Sequence, residues 1–125
     1  MTFKQTVLGA IFSSLLLISL PGLASESSSE GMIEEIISYS NYGTLGNDDT
    51  KGDVWVSLAT NNGASCSYGY FIHKAQGGYQ SNLSMLLAAY HAKTPIKIRG
   101  NTGVLWSGSN SETDPACEVD SVQYR

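Results

Sequence analysis

The stretch YQSNLSMLLAAYHAKTPIKIRG, residues 79 to 100, constrains this chain most, because its one strong helical pattern passes through a single proline straight into a strand. Leu83, Leu86, Leu87 and Tyr90 fall at i, i+3, i+4 and i+7 and make one apolar stripe, which Met85, Ala88, Ala89 and Ala92 widen. Ser81 stands where a hydroxyl can accept an orphan amide of the first turn. Pro95 cannot continue the helix and biases Thr94 toward extended geometry. Beyond it Ile96 and Ile98 share one face of a strand while Lys97 and Arg99 share the other. A chain with a single late helix must build the rest of its core from strands.

Those strands are legible on both sides. Met32 to Tyr42 is rich in β-formers and is predicted as the first strand, although the spacing of Ile33, Ile36 and Ile37 also suits a short helix. Gly43 to Gly52 reads as a loop. Asp53 to Ala59 alternates, with Val54, Val56 and Leu58 on one face and Trp55 and Ser57 on the other, as a half-buried strand does. Asn61-Asn62-Gly63 is a hairpin signal, because asparagine and glycine tolerate positive φ, so Ser65 to Lys74 is predicted to return antiparallel. After the helix, a turn at Gly100 to Gly103, a resumed strand at Val104-Leu105-Trp106, a polar loop from Ser107 to Pro115 and a last strand from Cys117 to Tyr124 complete the order. The expectation is a mainly β fold with one helix: an OB-fold-like, five-stranded, partly open Greek-key barrel with the helix between strands 3 and 4. A simple antiparallel sheet with one helix laid across it has the same order of elements.

The first residues read as an address. Lys4, the apolar run from Val7 to Leu20 and the small residues ending at Ala24 predict a signal peptide over 1–24, and hence a secreted or periplasmic protein with no membrane span in its mature form. Residues 25–31, serine and glutamate with little to bury, read as a flexible polar tail, leaving 32–125 as one domain. The chain carries a net charge of −4, and loss of Lys4 makes it one unit more acidic. A general nucleic-acid binder draws its affinity from neutralising phosphates, so this balance argues against nucleic acid as a partner. In an exported chain the two cysteines, Cys66 and Cys117, are expected to form a disulfide. They and the two histidines have no zinc-ligand spacing, so no metal or cofactor is expected.

Several residue types invite a site. Lys97 and Arg99 offer a cation and a planar two-donor fork to a sugar carboxylate, against the plainer reading of a solvated strand face. Trp55, Tyr68, Tyr70 and Trp106 offer stacking platforms or, more plainly, core; Trp55 stands out because it faces away from Val54, Val56 and Leu58. No catalytic set emerges. His73 and His91 have no nucleophile motif beside them, and His91 suits the helix C-terminus as a cation on the macrodipole. Glu34 and Glu35, adjacent on a strand, point to opposite faces and cannot flank one glycosidic bond. Asn47, Asp48, Asp49 and Asp53 miss the spacing of a calcium loop and read as a solvated turn.

From Ala89 to Trp106 the text AYHAKTPIKIRGNTGVLW, with a helix end, a Thr-containing turn, a basic alternating strand and a downstream Trp, resembles the B subunits of bacterial AB5 toxins, in the branch of the subtilase cytotoxin and typhoid-toxin B subunits. Ser29 to Ile36 is similar to that branch's first strand, and the likeness spans most of residues 29 to 106 at low identity. The resemblance implies a non-enzymatic module that binds sialylated cell-surface glycans, assembles into a homo-pentameric ring and serves a toxin A subunit. It also implies that Ser29 contacts the sugar, and it puts Thr60 or Asn61 where the branch offers a basic residue. The alternative from another class is a small exported inhibitor or protein-interaction domain that binds no glycan.

Overall fold

The structure, a computed structural model, describes residues 25–40, 51–60 and 62–125. The signal peptide expected over 1–24 and most of the loop expected over 43–52 lie outside the described residues. Six strands and one helix follow in the order β1 (Glu26–Gly31), β2 (Ile33–Ser38), β3 (Val54–Leu58), β4 (Gly69–Ile72), α1 (Tyr79–Ala92), β5 (Ile96–Leu105) and β6 (Ala116–Tyr124). All six belong to one sheet, ordered β1-β5-β6-β4-β3-β2. The mainly β, OB-fold-like architecture with a single helix is thus the one expected.

Two corrections to that expectation have one cause. Residues 25–31 are not a tail: Glu26 to Gly31 pairs antiparallel with β5, Ser28 opposite Arg99 and Glu30 opposite Lys97. A strand recruited by its partner's backbone needs no apolar alternation of its own. Its one buried side chain, Ser29, meets the Tyr70 hydroxyl at 2.9 Å in the barrel interior. The strand count rises to six for the same reason, since β1 and β2 are halves of one segment bent at Gly31 and Met32. Those halves occupy opposite ends of the sheet order, so the bend brings the sheet round on itself, and counted as one strand they restore five. Gly31 is required at the bend, because a methyl there would overlap the Thr60 hydroxyl as that side chain reaches the Glu30 carbonyl.

The β3–β4 hairpin is antiparallel as predicted, with Val54 opposite Ile72, Trp55 opposite Phe71 and Val56 opposite Tyr70. The second strand is shorter than expected, however. Ala64–Cys66 forms a 3₁₀ turn, and the strand begins at Gly69 with φ 122°, where any side chain would run into the Val56 carbonyl. From there β4 also pairs parallel with β6, Tyr70 opposite Cys117 and Phe71 opposite Glu118. The Cys66–Cys117 disulfide is formed and ties the 3₁₀ turn to β6. The expected turn at Gly100 to Gly103 is instead an irregularity within β5, which shifts register against β6 and runs on to Leu105.

Helix α1 lies against β2, β4 and β6 and contributes Leu86 and Ala89 to the main core, among Ile33, Val56, Ile72, Ile96, Ile98 and Val122. It thus touches the neighbouring strands β4 and β6 and the edge strand β2, spanning part of the curved sheet. The buried stripe is rotated from the expected one: Leu83 and Tyr90 are partly buried, and Leu87 is 40% exposed. The cap differs too, since Gly78 holds the N-cap position and the Ser81 hydroxyl bonds the Gly78 carbonyl at 3.1 Å. Lys93, left-handed at φ 53°, ends the helix by pointing its N–H at the Ala89 and Tyr90 carbonyls. Ile96 and Ile98 then turn inward as predicted.

β3 is buried on both faces, where one was expected to be wet. A second cluster, Trp55, Phe71, Trp106 and Ala116, with Ile37, Tyr39 and Tyr68 packed on it, covers the outside of β3 and β4. The Tyr39 and Trp106 rings sit 5.1 Å apart, Trp55 and Tyr68 5.0 Å apart, and Phe71 stacks over Trp106 at 6.2 Å.

Candidate functional site

One cleft opens beside this outer aromatic layer. It has a volume of about 290 Å³ and is bounded by the start of β3, the end of β4, the end of β5 and the outer face of β6. Phe71 and Trp106 form its apolar part, Val104 and Leu105 its rim, and Asp53, His73, Ser107 and Glu118 its polar groups. Strand pairing assembles them: Val54 opposite Ile72 sets Asp53 across from His73, and the parallel β4–β6 ladder sets Phe71 beside Glu118.

Asp53 is the organising residue. It is 1% exposed, and its carboxylate is met by three donors: His73 Nδ1 at 2.9 Å and the Lys74 backbone N–H at 3.0 Å on Oδ1, and Trp106 Nε1 at 3.0 Å on Oδ2. A buried carboxylate without such partners is strongly disfavoured; with them it locks three separate elements. A carboxylate accepts only, so His73 carries its proton on Nδ1 toward Asp53, and Nε2 is the ring's other edge. The His73 side chain is 34% exposed.

The residues singled out from the sequence do not converge here or on any other single site. Ser29 is buried within the barrel. Its hydroxyl donates to Tyr70, because the phenol gives its own proton to the Asn62 carbonyl at 2.9 Å. Burial pushes the Tyr70 pKa up from its ordinary value of 10.0, and the Ser29 bond lowers it by less. Trp55 is 6% exposed beneath Tyr68, so it packs rather than presenting a platform. Thr60 is exposed, and its hydroxyl clasps the Glu30 carbonyl at 2.5 Å. Arg99 lies on the outer face of β5, bonded to Asp120 at 2.7 and 2.8 Å and paired with Glu26 at 3.5 Å. The Asp120 hydrogen bond, then the charge of Glu26, raises its pKa further, and its fork is already engaged. Lys97 is half-exposed two positions away, opposite Glu30.

The sequence does not mark Asp53, His73, Ser107 and Glu118 as site residues: Asp53 reads as part of a solvated turn and His73 as structural. One signal was present. A hairpin through Asn61-Asn62-Gly63 that pairs Val54 with Ile72 must also bring residue 53 beside residue 73. Nothing local ties Trp106 or Glu118 to that pair.

The Asp53–His73 pair has the form of the orienting half of a hydrolytic triad. Ser107 lines the same cleft, yet no hydrogen bond joins it to His73 among the described residues. Nor do three His, Cys, Asp or Glu side chains group as metal ligands among those residues. The lining combines carboxylate, imidazole and hydroxyl groups with the exposed apolar rim of Val104 and Leu105. No protein-family model matches this chain, and no curated protein matches it significantly.

Proposed function

We propose that this protein is an exported, non-enzymatic binding module, like the B subunits of AB5 toxins, and that it takes a cell-surface glycan in the Asp53–His73–Trp106 cleft. One observation carries the reading: an indole, an imidazole and a carboxylate held in fixed register beside a cleft on the outside of an OB-fold-like barrel. The OB architecture offers its outer sheet face and adjoining loops to oligonucleotides and oligosaccharides. Two carboxylates in the lining and an acidic chain disfavour phosphate and leave the saccharide. The cleft's volume stands at the small end of ligand pockets, which suits one sugar unit. The buried disulfide supports an oxidising destination outside the cytoplasm, and among the described residues no helix is long and apolar enough to cross a membrane. The resemblance extends the proposal to a homo-oligomeric ring and an A-subunit partner.

The test is a glycan array probed with the mature protein and with His73→Ala. The expected result is binding to a defined set of glycans that His73→Ala loses while still unfolding cooperatively, at a lower temperature because Asp53 loses one of its three donors. Binding unaffected by His73→Ala would move the site elsewhere. A second reading, a protein-interaction or inhibitor domain, draws on Val104 and Leu105, 40% and 36% exposed at the rim. An array without any glycan binding, together with an intact fold, would favour it.

A further inference from the structure

We infer that the cleft selects a neutral saccharide, held through its hydroxyl protons, and turns away carboxylated sugars; this rests on the glycan-binding reading above. Three polar groups in the lining remain available to a ligand. The Glu118 carboxylate has no hydrogen bond or ion pair among the described residues. The Ser107 hydroxyl has none either. His73 spends Nδ1 on Asp53 and keeps Nε2.

Glu118 is a pure acceptor, Nε2 of a neutral imidazole is an acceptor, and only Ser107 can both give and take. A ligand satisfying this set must bring protons, as neighbouring ring hydroxyls do. Its apolar ring face meets the exposed Val104 and Leu105 at the rim. The lining holds no lysine or arginine, so a sugar carboxylate would face Glu118 and the buried charge of Asp53, and His73 already gives its Nδ1 proton to Asp53. Arg99 does not supply one, since its guanidinium is bonded to Asp120 on the outer face of β5.

The experiment follows the backbone amide signals and the two indole N–H signals of the nitrogen-15-labelled mature protein, one indole from Trp106 beside the cleft and one from Trp55 outside its lining, during titration. The probes are methyl galactoside, methyl mannoside, N-acetylglucosamine and N-acetylneuraminic acid at neutral pH. At least one neutral sugar is expected to shift Trp106 and His73 saturably, while N-acetylneuraminic acid leaves them in place. Glu118→Gln, on a half-exposed side chain, is expected to weaken that sugar by about tenfold, the scale of one hydrogen bond to a charged group. N-acetylneuraminic acid shifting the same signals as tightly as the neutral sugars would overturn the charge selection and leave glycan binding standing. Sugars that move only Lys97 and Arg99 signals would overturn the cleft as the site. If no probe binds and the array is also blank, the functional reading falls together with this one.

Discussion

Replacing Asp53 with Asn keeps the size of the side chain and exchanges one acceptor oxygen for an NH₂ group. Asp53 has three donors to satisfy on two oxygens: two on Oδ1 and the Trp106 indole on Oδ2. In the variant the amide oxygen can stay with His73 and Lys74, which turns the NH₂ toward the indole N–H and sets donor against donor. The opposite rotamer abandons two bonds to keep one. A buried donor left without an acceptor costs about 1–3 kcal/mol. Loss of charge assistance to the two remaining bonds adds to this, and relief from burying a charge opposes it, so we expect a net loss of about 2 kcal/mol. In a domain of this size that lowers the melting temperature by roughly 8–16 °C. The assay is urea and thermal unfolding of wild type, Asp53→Asn, Trp106→Phe and the double variant. Trp106→Phe removes the indole donor, so in its background Asp53→Asn should cost markedly less, with a coupling of about 1 kcal/mol or more. Additive effects, or an Asp53→Asn melt within error of wild type, would show that the carboxylate does not organise the cleft.

Three other outcomes are expected. Replacing Cys66 and Cys117 together by Ala opens a link between residues 51 apart in sequence and should cost about 4 kcal/mol on the chain-entropy account, read as a large fall in the urea midpoint; an unchanged midpoint would refute it. Because burial raises the Tyr70 pKa above 10.0, the unfolded chain loses that proton first: the phenol's contribution is complete below that pH and disappears as pH climbs through the folded-state value. Stability measured against pH should therefore fall above 10.0, and Tyr70→Phe should flatten that limb relative to wild type. Arg99→Ala removes an exposed pair that solvent screens, so both its melt and its glycan profile should match wild type; lost glycan binding would restore the outer face of β5 as a site.

Much of the fold is visible in local pattern. The single helix, its stop before Pro95, the inward Ile96 and Ile98 and the antiparallel β3–β4 pair are consequences of spacing within a dozen residues, where period and turn chemistry act directly. Strand β1 is the clearest failure of that reasoning. Its serines and glutamates have no apolar period, and it exists because β5 offers a backbone ladder from far along the chain. Trp55 fails in the opposite sense: alternation marked it as outward-facing, which it is, but Tyr68 and the neighbouring aromatics arrive from other strands and bury it.

The amino-acid order alone settled the class of architecture and the sulfur bridge. Periodicity and turn chemistry are properties of neighbouring residues, and two cysteines leave one pairing open. Only folding decided where the cleft lies, because it joins a carboxylate, an imidazole and an indole from three elements, and Asp53 and Trp106 are 53 positions apart. No local rule couples residues at that distance; the barrel's register does.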